Sequence, residues 1–211
     1  MPARRKATPV SPPPARGEAT RAKLIEVAHG LFLKNGFHGT RMRQIADEAG
    51  LALGGIYNHF DNKEAIFAAV LDAYHPYHTV LPALEQVTGA TPEEFMQNAA
   101  GIIQQGMAMV EADLLPLLFM EMVEFQGRHL KEMARRLLPA LMTIMHRFPA
   151  QRRTRRLAPP VLLRTFADLI IGHMITEMIL RNSALLPSAD INWFGGMIDI
   201  YLHGIVAHPE T

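Results

Sequence analysis

Residues 50–64 read GLALGGIYNHFDNKE, a stretch that combines three glycines with a tyrosine, a histidine and a lysine. Gly54 and Gly55 lie next to each other at a point where the surrounding pattern predicts a short helix. Glycine inside a helix costs about 0.5–1 kcal/mol relative to alanine. We interpret the two missing side chains as room for a partner molecule to approach the helix closely.

The flanking residues complete a helix-turn-helix pattern. Thr40 is placed to cap a short helix over 41–49, and Gly50 then turns the chain into a second helix over 52–59. In this motif the second helix enters the major groove of DNA. An absent side chain at Gly54 would let that helix lie close to the sugar-phosphate edge.

Most of the chain after residue 19 has the apolar spacing of α-helices, so the predicted fold class is all-α. A first helix ends at Gly36, and the segment 75–82 is predicted to be a break. Pro116 and Pro139 lie inside apolar helical patterns, and each is expected to kink or end its helix. Beyond the break, helices are predicted at about 91–110, 113–125, 127–148, 159–182 and 188–207.

The composition limits the class of protein. The 211 residues contain no cysteine, which excludes disulfides and thiolate metal sites, and 49% of them are apolar. We find no signal-peptide pattern and no apolar run long enough for a bilayer, so we expect a cytoplasmic protein without membrane contact. We also find no nucleophile set, phosphate loop or complete metal-ligand set, and we expect no enzymatic activity, cofactor or metal.

Charge is unevenly distributed along the chain. Residues 1–43 hold nine Lys and Arg and two Glu, whereas residues 44–211 hold twelve Lys and Arg and eighteen acidic residues. This asymmetry favours contact with a polyanion near the N-terminal end. Residues 1–19 are predicted to be a disordered basic tail, and a solvated tail without a partner is the alternative. The Arg-rich segment 147–156 is interpreted as a solvated loop, with a membrane or nucleic-acid contact as the minor alternative.

Residues 20–67 resemble the DNA-binding domain of TetR-family transcriptional regulators. The matching positions are Leu31–Phe32, Gly36–Phe37, Thr40, Ile45–Ala46, Ala49–Gly50–Leu51, Gly54, Ile56–Tyr57, His59–Phe60 and Lys63–Glu64. The resemblance implies a three-helix DNA-binding domain at 20–66, a connecting helix at about 62–74, and a helical ligand-binding and dimerisation domain at 75–211. It also implies a homodimer that represses from a palindromic operator and is released by a small, largely apolar effector.

The resemblance further implies which residues contact double-stranded DNA. Thr40, Gly54, Tyr57, His59 and Lys63 occupy positions that commonly do so in the family. The predicted set also includes Arg41, Arg43, Ala52, Leu53, Gly55 and Asn58. For Tyr57 the alternative is a core aromatic residue, and for His59 it is a structural helix cap.

Two positions depart from the family pattern. The family often has Ser or Thr where Ala52 stands and Lys where Leu53 stands, so we expect weaker backbone contact there. Arg41 and Arg43 are expected to make up part of the loss. Asn58 is a candidate for reading a base edge, because an amide suits adenine.

The second half of the chain contains the candidate effector pocket. Seven of the 13 methionines lie between Met107 and Met145, and methionine adapts its shape to varied ligands, although it also fills ordinary cores. His173 and Glu177 share one helix face and could orient a polar ligand or pair with each other. The alternative function, an α-helical metal-binding protein or enzyme, would use the same two residues. The predicted pocket residues are Phe119, Met122, Phe125, Met145, His173 and Glu177.

The last two predicted helices are the expected dimer element, over about 161–182 and 190–206. Both are apolar on more than one side, which is typical of helices buried on more than one side. Trp193 and Ile200 lie apart from the main apolar stripe of the last helix. That stripe consists of Phe194, Met197, Ile198, Tyr201 and Ile205. Two helices from each subunit would form a four-helix seam, and burial within one subunit is the alternative.

Overall fold

The computed structural model describes residues 16–108, 111–148, 158–180 and 192–205. These residues form ten α-helices and no strand, so the all-α prediction is confirmed. In chain order the helices are α1 (Arg16–Gly39), α2 (Met42–Glu48), α3 (Leu53–Ile56), α4 (Lys63–Tyr74), α5 (Tyr77–Leu84), α6 (Pro92–Ala108), α7 (Glu111–Phe125), α8 (Arg128–His146), α9 (Pro159–Leu180) and α10 (Trp193–Ile205).

The chain divides into two compact units, residues 1–70 and residues 71–211. The division falls within α4, the helix that the sequence predicts as a connector. The predicted tail, residues 1–19, lies outside the described residues except for its last four. Those four are helical, because α1 begins at Arg16. Within the same helix the Thr20 hydroxyl donates to the Arg16 carbonyl at 2.9 Å.

The first unit has a core of aliphatic and aromatic side chains. Phe32, Phe37 and Phe67 form a cluster of rings with centroids 5.4–5.8 Å apart. Gly36 has φ 71° and ψ 176°, which interrupts the helical geometry of α1 and places Phe37 in this cluster. A side chain is disfavoured at that φ, so the predicted end of the first helical run at Gly36 has a backbone cause. Fully buried aliphatic residues from α1 to α4 complete the core: Leu24, Ile45, Ile56, Ile66 and Val70.

The predicted break over 75–82 was wrong, because most of that segment forms α5. Pro76 occupies the N-cap position of α5, where no helical N–H is needed. Pro82 lies inside the helix, and Val80, Leu81 and Leu84 keep the segment helical by packing in the apolar core. Pro116 and Pro139 likewise lie within α7 and α8, and neither proline ends its helix.

The second unit packs its helices around three apolar clusters. The first joins α5, α6 and the end of α8 through Leu84, Phe95 and Ile144. A second cluster joins α6 and α10, with side chains of α9 packed against it. The third joins α6, α7 and α9 through Met107, Leu115 and Met174.

Arginine side chains connect these helices through hydrogen bonds. Arg147 donates to the carbonyls of Glu85 and, at 2.8 Å, Val87, which joins the end of α8 to the end of α5. Arg136 donates to the Asp72 carboxylate at 2.9 Å. Arg147 is exposed, but it is held by bonds to two backbone carbonyls, which the sequence did not reveal. The other four arginines of the segment 147–156 lie outside the described residues.

Candidate functional site

A tight turn joins α2 to α3 in the arrangement predicted for a helix-turn-helix. Gly50 has φ 75°, a conformation that glycine adopts without strain. The backbone N–H of Leu51 donates to the Ala46 carbonyl at 2.9 Å and closes the turn. Ala46 and Ile56 are fully buried, so each short helix is held by one apolar face. The opposite face of α3 points to solvent.

The solvent face of α3 carries small and apolar residues. Ala52, Leu53 and Gly54 are exposed, and the Leu53 side chain keeps 38% of its accessible surface. Immediately after α3, Tyr57 is 50% exposed and Asn58 is also exposed. The exposure of Tyr57 argues against the alternative of a core aromatic. These residues form one surface that a partner can reach.

The protein itself does not require the glycine at position 54. A Cβ atom added to Gly54 would meet no atom within 4 Å, and one added to Gly55 would meet only the Leu51 Cβ, at 4.0 Å. Neither glycine has the positive φ that would explain its presence. The cost of glycine in a helix is therefore not offset by the packing of the described residues.

Two arginines lie at the start of α2, close in sequence to this surface. Arg41 and Arg43 are both exposed. The Arg43 side chain is 79% accessible and lies 4.0 Å from the Asp47 carboxylate, a contact too open to hold the guanidinium firmly. Their contact with phosphate groups stays a prediction.

Lys63 has a role that the sequence did not reveal. Its ammonium group donates to the carbonyls of Phe37 and Thr40 at 2.6 and 2.8 Å, and it lies 4.3 Å from the centre of the Phe37 ring. These bonds bring a charged donor to two carbonyls between the kink in α1 and the start of α2. The predicted DNA contact by Lys63 stays a prediction, and the structure gives this residue a structural role.

Thr40 is also placed inside the domain. Its side chain is fully buried, and its hydroxyl lies 2.9 Å from the Gly36 carbonyl and 3.1 Å from the Leu31 carbonyl. One hydroxyl proton serves these two acceptors, so the side chain is committed to the kink in α1. His59 is half-buried at the end of the turn after α3, and its contact with DNA stays a prediction.

The predicted pocket residues differ in their burial. Phe119 and Met122 are exposed on α7, whereas Phe125 is buried at its end. A shallow, open depression at the α7–α8 turn includes Phe125, and its other lining residues are Glu124, Gln126, Arg128, Lys131 and Arg135. Met145 is half-buried on α8. The effector site therefore stays a prediction.

His173 and Glu177 are half-buried on α9 but are not hydrogen-bonded to each other. The His173 ring instead packs edge-on against Phe194 of α10, with centroids 5.4 Å apart. In the described part of the chain no three His, Asp or Glu side chains come together as metal ligands would. The metal-binding alternative thus gains no support from these residues.

The sequence also missed a buried charged contact at the α7–α8 turn. Glu121 is fully buried, and its carboxylate accepts hydrogen bonds from the backbone N–H and the ring Nδ1 of His129, at 2.8 and 2.7 Å. The carboxylate thereby satisfies an N–H in the first turn of α8, where helices lack internal acceptors. Glu121 and His129 are eight residues apart, beyond the i,i+4 spacing that sequence patterns detect.

The structure separates the two apolar sides of α10. Phe194, Ile198 and Leu202 are buried against α6, with Met197 and Tyr201 packed beside them. The other side of α10 exposes Trp193 and Ile200, the latter 74% accessible. α9 likewise exposes three large apolar side chains, Val161, Ile171 and Ile179. None of the described helices is long and apolar enough to span a bilayer.

These features define a class of protein: an all-helical chain with an N-terminal helix-turn-helix domain of the kind that binds DNA. Residues 24–70 match the family model of bacterial regulatory proteins, tetR family. The chain is 43% identical over 61 residues to the transcriptional regulator TtgR of Pseudomonas putida, a match that covers 29% of each protein. It is 26% identical over 130 residues to the regulator UidR of Escherichia coli K12, covering 54% of this chain and 66% of UidR.

Solved structures extend the likeness to the whole fold. NalD of Pseudomonas aeruginosa, the secondary repressor of the MexAB-OprM multidrug efflux pump, superposes with a TM-score of 0.64 at 22% identity. That superposition covers 90% of this chain and 98% of NalD. The family match covers 47 of the 211 residues, so it is the first unit that is similar to the tetR family of bacterial regulatory proteins. The matched region spans less than a third of TtgR, and the likeness to NalD at this identity shows the fold alone.

Proposed function

We propose that the protein is a dimeric transcriptional regulator that binds a palindromic DNA operator and is released from it by a small, largely apolar effector. The observation that carries the DNA-binding part is the open surface at Gly54. Gly54 lies in the second helix of a helix-turn-helix and adjoins the exposed Leu53 and Tyr57. The fold does not require a glycine at this position, because an added Cβ would meet no atom within 4 Å. A close approach by the DNA backbone accounts for it.

Charge supports the same assignment. Exposed guanidinium groups at Arg41 and Arg43 precede the turn, and Asn58 follows it with an amide that suits an adenine edge. The phosphate-contacting set we propose is Arg41, Arg43 and Tyr57. Lys63 and Thr40 act by holding the domain in shape, because their polar groups already bond to carbonyls of the same unit.

The test is binding of the full chain to labelled DNA from upstream of its own gene and to genomic fragments, across a salt series. Arg43→Ala should weaken binding and lower the slope of log affinity against log salt by about 1. Arg135→Ala is the matched control, since Arg135 is 76% accessible and pairs with Glu132 much as Arg43 pairs with Asp47. Equal behaviour of the two variants, or no sequence-specific binding to any fragment, would contradict the proposal.

The dimer part is supported by the exposed apolar sides of α9 and α10. A second copy of the chain would bury Ile171, Ile179, Trp193 and Ile200, which otherwise face water. Four helices, two from each subunit, would then form the seam. The dimer separation would set which half-site spacing fits, because each recognition helix needs its own major groove.

Effector response rests on membership of the family. An effector lowers operator affinity only as far as it binds the DNA-incompetent state more tightly than the competent state. α4 is proposed to transmit the change. A screen of apolar compounds for release of the bound operator tests this part. Variants that no longer bind the operator serve as negative controls in this screen.

An activator is the second possibility within this class. Reporter expression with and without the gene separates an activator from a repressor.

A further inference from the structure

The recognition helix α3 has no side chain that can read bases by hydrogen bonding. Its residues are Leu53, Gly54, Gly55 and Ile56, and Ala52 precedes it. Ile56 is fully buried in the core of the first unit. Leu53 is therefore the only large side chain that α3 itself presents to solvent.

Leu53 is placed so that a partner can reach it. It stands between Ala52 and Gly54, both exposed and both too small to cover it. A single exposed leucine on a protein surface is ordinary. This leucine is informative because of its position, at the start of the helix that the helix-turn-helix presents to the major groove.

The chemistry of the groove limits what a leucine can recognise. In the major groove each base pair presents hydrogen-bond donors and acceptors, and thymine alone among the four bases adds a methyl group. Leucine has neither donor nor acceptor, so its favourable contact is with that methyl group. Polar groups on cytosine or guanine would instead lose water against an apolar side chain without gaining a bond.

We propose that Leu53 reads a thymine methyl group in each half-site of the operator. This inference rests on the proposed function, since it requires α3 to enter the major groove. It assigns specificity at one base pair to apolar contact, and it leaves hydrogen-bonded readout to residues outside α3, such as Asn58. The operator should therefore carry a thymine opposite α3 in both halves of its palindrome.

The experiment begins with the full chain and a random-sequence duplex library, from which the bound sequences are selected. Each thymine of the enriched sequence is then replaced singly by uracil, which differs only in lacking the methyl group. One position per half-site should weaken binding about fourfold on replacement, the effect expected for one buried methyl group. Replacement in both half-sites should weaken binding about fifteenfold, because the two contacts are independent.

Variants connect that methyl group to Leu53. In Leu53→Ala the uracil replacement should have no further effect, whereas Leu53→Met, with similar volume, should retain most of it. Leu138→Ala removes an exposed leucine from α8 and is the control, so the full uracil effect should persist there. Thermal melting of the three variants checks that each is folded.

The outcomes separate the two proposals. If every thymine of a selected operator tolerates uracil, the Leu53 proposal is overturned and the regulator proposal stands. A uracil effect that is unchanged in Leu53→Ala also overturns it, because another residue then reads the methyl group. If the library yields no preferred sequence at all, the proposed function fails and the inference fails with it.

Discussion

Gly54 and Lys63 belong to one small domain, and they serve different requirements. Lys63 is required by the fold, because its ammonium group holds two carbonyls at the end of α1. Gly54 is not required by the fold, because the space around it is open. Substitution at each position should therefore change stability and DNA affinity in different ways.

Replacing Gly54 with alanine should stabilise the first unit and weaken DNA binding. Alanine lowers the cost of the helix by about 0.5–1 kcal/mol. The added methyl group lies where the DNA backbone should come close, and we expect operator affinity to fall about tenfold, equivalent to about 1.4 kcal/mol. Chemical denaturation and a binding titration measure the two effects.

Gly30→Ala is the control, because Gly30 is an exposed glycine of α1 with open space around it. It should give the same gain in stability with unchanged affinity. Unaltered DNA binding by Gly54→Ala would show that the surface does not face DNA.

Replacing Lys63 with methionine should lower the stability of the first unit by about 1–3 kcal/mol, because two part-buried carbonyls lose a charged donor. Lys23→Met removes an exposed lysine that pairs only with Glu26, and it should change stability by less than about 0.5 kcal/mol. Thermal melting compares the two variants. If Lys63→Met melts like the wild type and still loses the operator, Lys63 is a direct DNA contact.

At the scale of the element, the junction between α4 and α5 contains a half-buried titratable ring, that of His75. Burial lowers the pKa of His75 to about 4, against the opposing effect of the Asp72 carboxylate and with a smaller lowering from His78. The His75 Nδ1 accepts a hydrogen bond from the Tyr77 backbone N–H at 3.2 Å, which requires a ring nitrogen without a proton. The start of α5 is thereby tied to a neutral histidine.

The lowered pKa of His75 predicts how the free energy of unfolding depends on pH. In the unfolded chain His75 takes up a proton near pH 6.5, whereas in the folded chain it does so near pH 4. Its contribution to stability is therefore complete above pH 6.5 and is lost as the pH falls towards 4, by no more than about 3 kcal/mol. Urea unfolding at pH 7.5 and pH 5 measures the loss.

The variant His75→Asn isolates this contribution, since its side-chain oxygen can accept the same bond and does not titrate. Wild type should lose more stability than His75→Asn over that pH range. An equal loss in both proteins would mean that His75 is protonated alike in the folded and unfolded chains.

The helices of the first unit could be predicted because their determinants are local. Gly36 and Gly50 mark turns by their backbone freedom, and the aliphatic spacing of α1 marks its buried face. α5 was missed because Pro76 and Pro82 suggested a break, whereas the packing of Val80 and Leu84 against distant helices decides in favour of a helix.

The site was predictable only in part, for the same physical reason. The exposure of Tyr57 follows from its position after a short helix whose Ile56 is buried. The partners of Lys63 lie 26 and 23 residues away, and those of Arg147 lie about sixty residues away, so no local pattern reveals them. The proposed effector pocket would need side chains from several helices, and spacing along one helix cannot locate such a pocket.

At the scale of the whole molecule, the chain leaves apolar surface on its last two helices. One side of α10 packs in the core, and the other side exposes Trp193 and Ile200. None of the described helices covers that second side, which is consistent with the proposed dimer. Dimer formation and tight operator binding should therefore depend on the same side chains.

Replacing Ile200 with glutamate should convert the dimer to a folded monomer, because a charge would be buried in the seam without a partner. Operator affinity should fall by about 10²–10⁴, the gain that linking two half-site contacts normally supplies. Light scattering after size exclusion gives the mass. Val123→Glu is the matched control, since Val123 of α7 is 76% accessible, close to the 74% of Ile200. A dimer that survives Ile200→Glu would place the seam elsewhere.

The sequence separation between hydrogen-bonded residues has a consequence for folding during synthesis of the chain. The bonds of Lys63 and Thr40 all lie within the first 70 residues, whereas Arg147 must find carbonyls 60 and 62 residues before it. Ribosomes add about 5–20 residues each second, so the last residue of the first unit is added roughly 4–15 s before Arg147. The nascent chain can thus complete its helix-turn-helix while the second unit is still being translated.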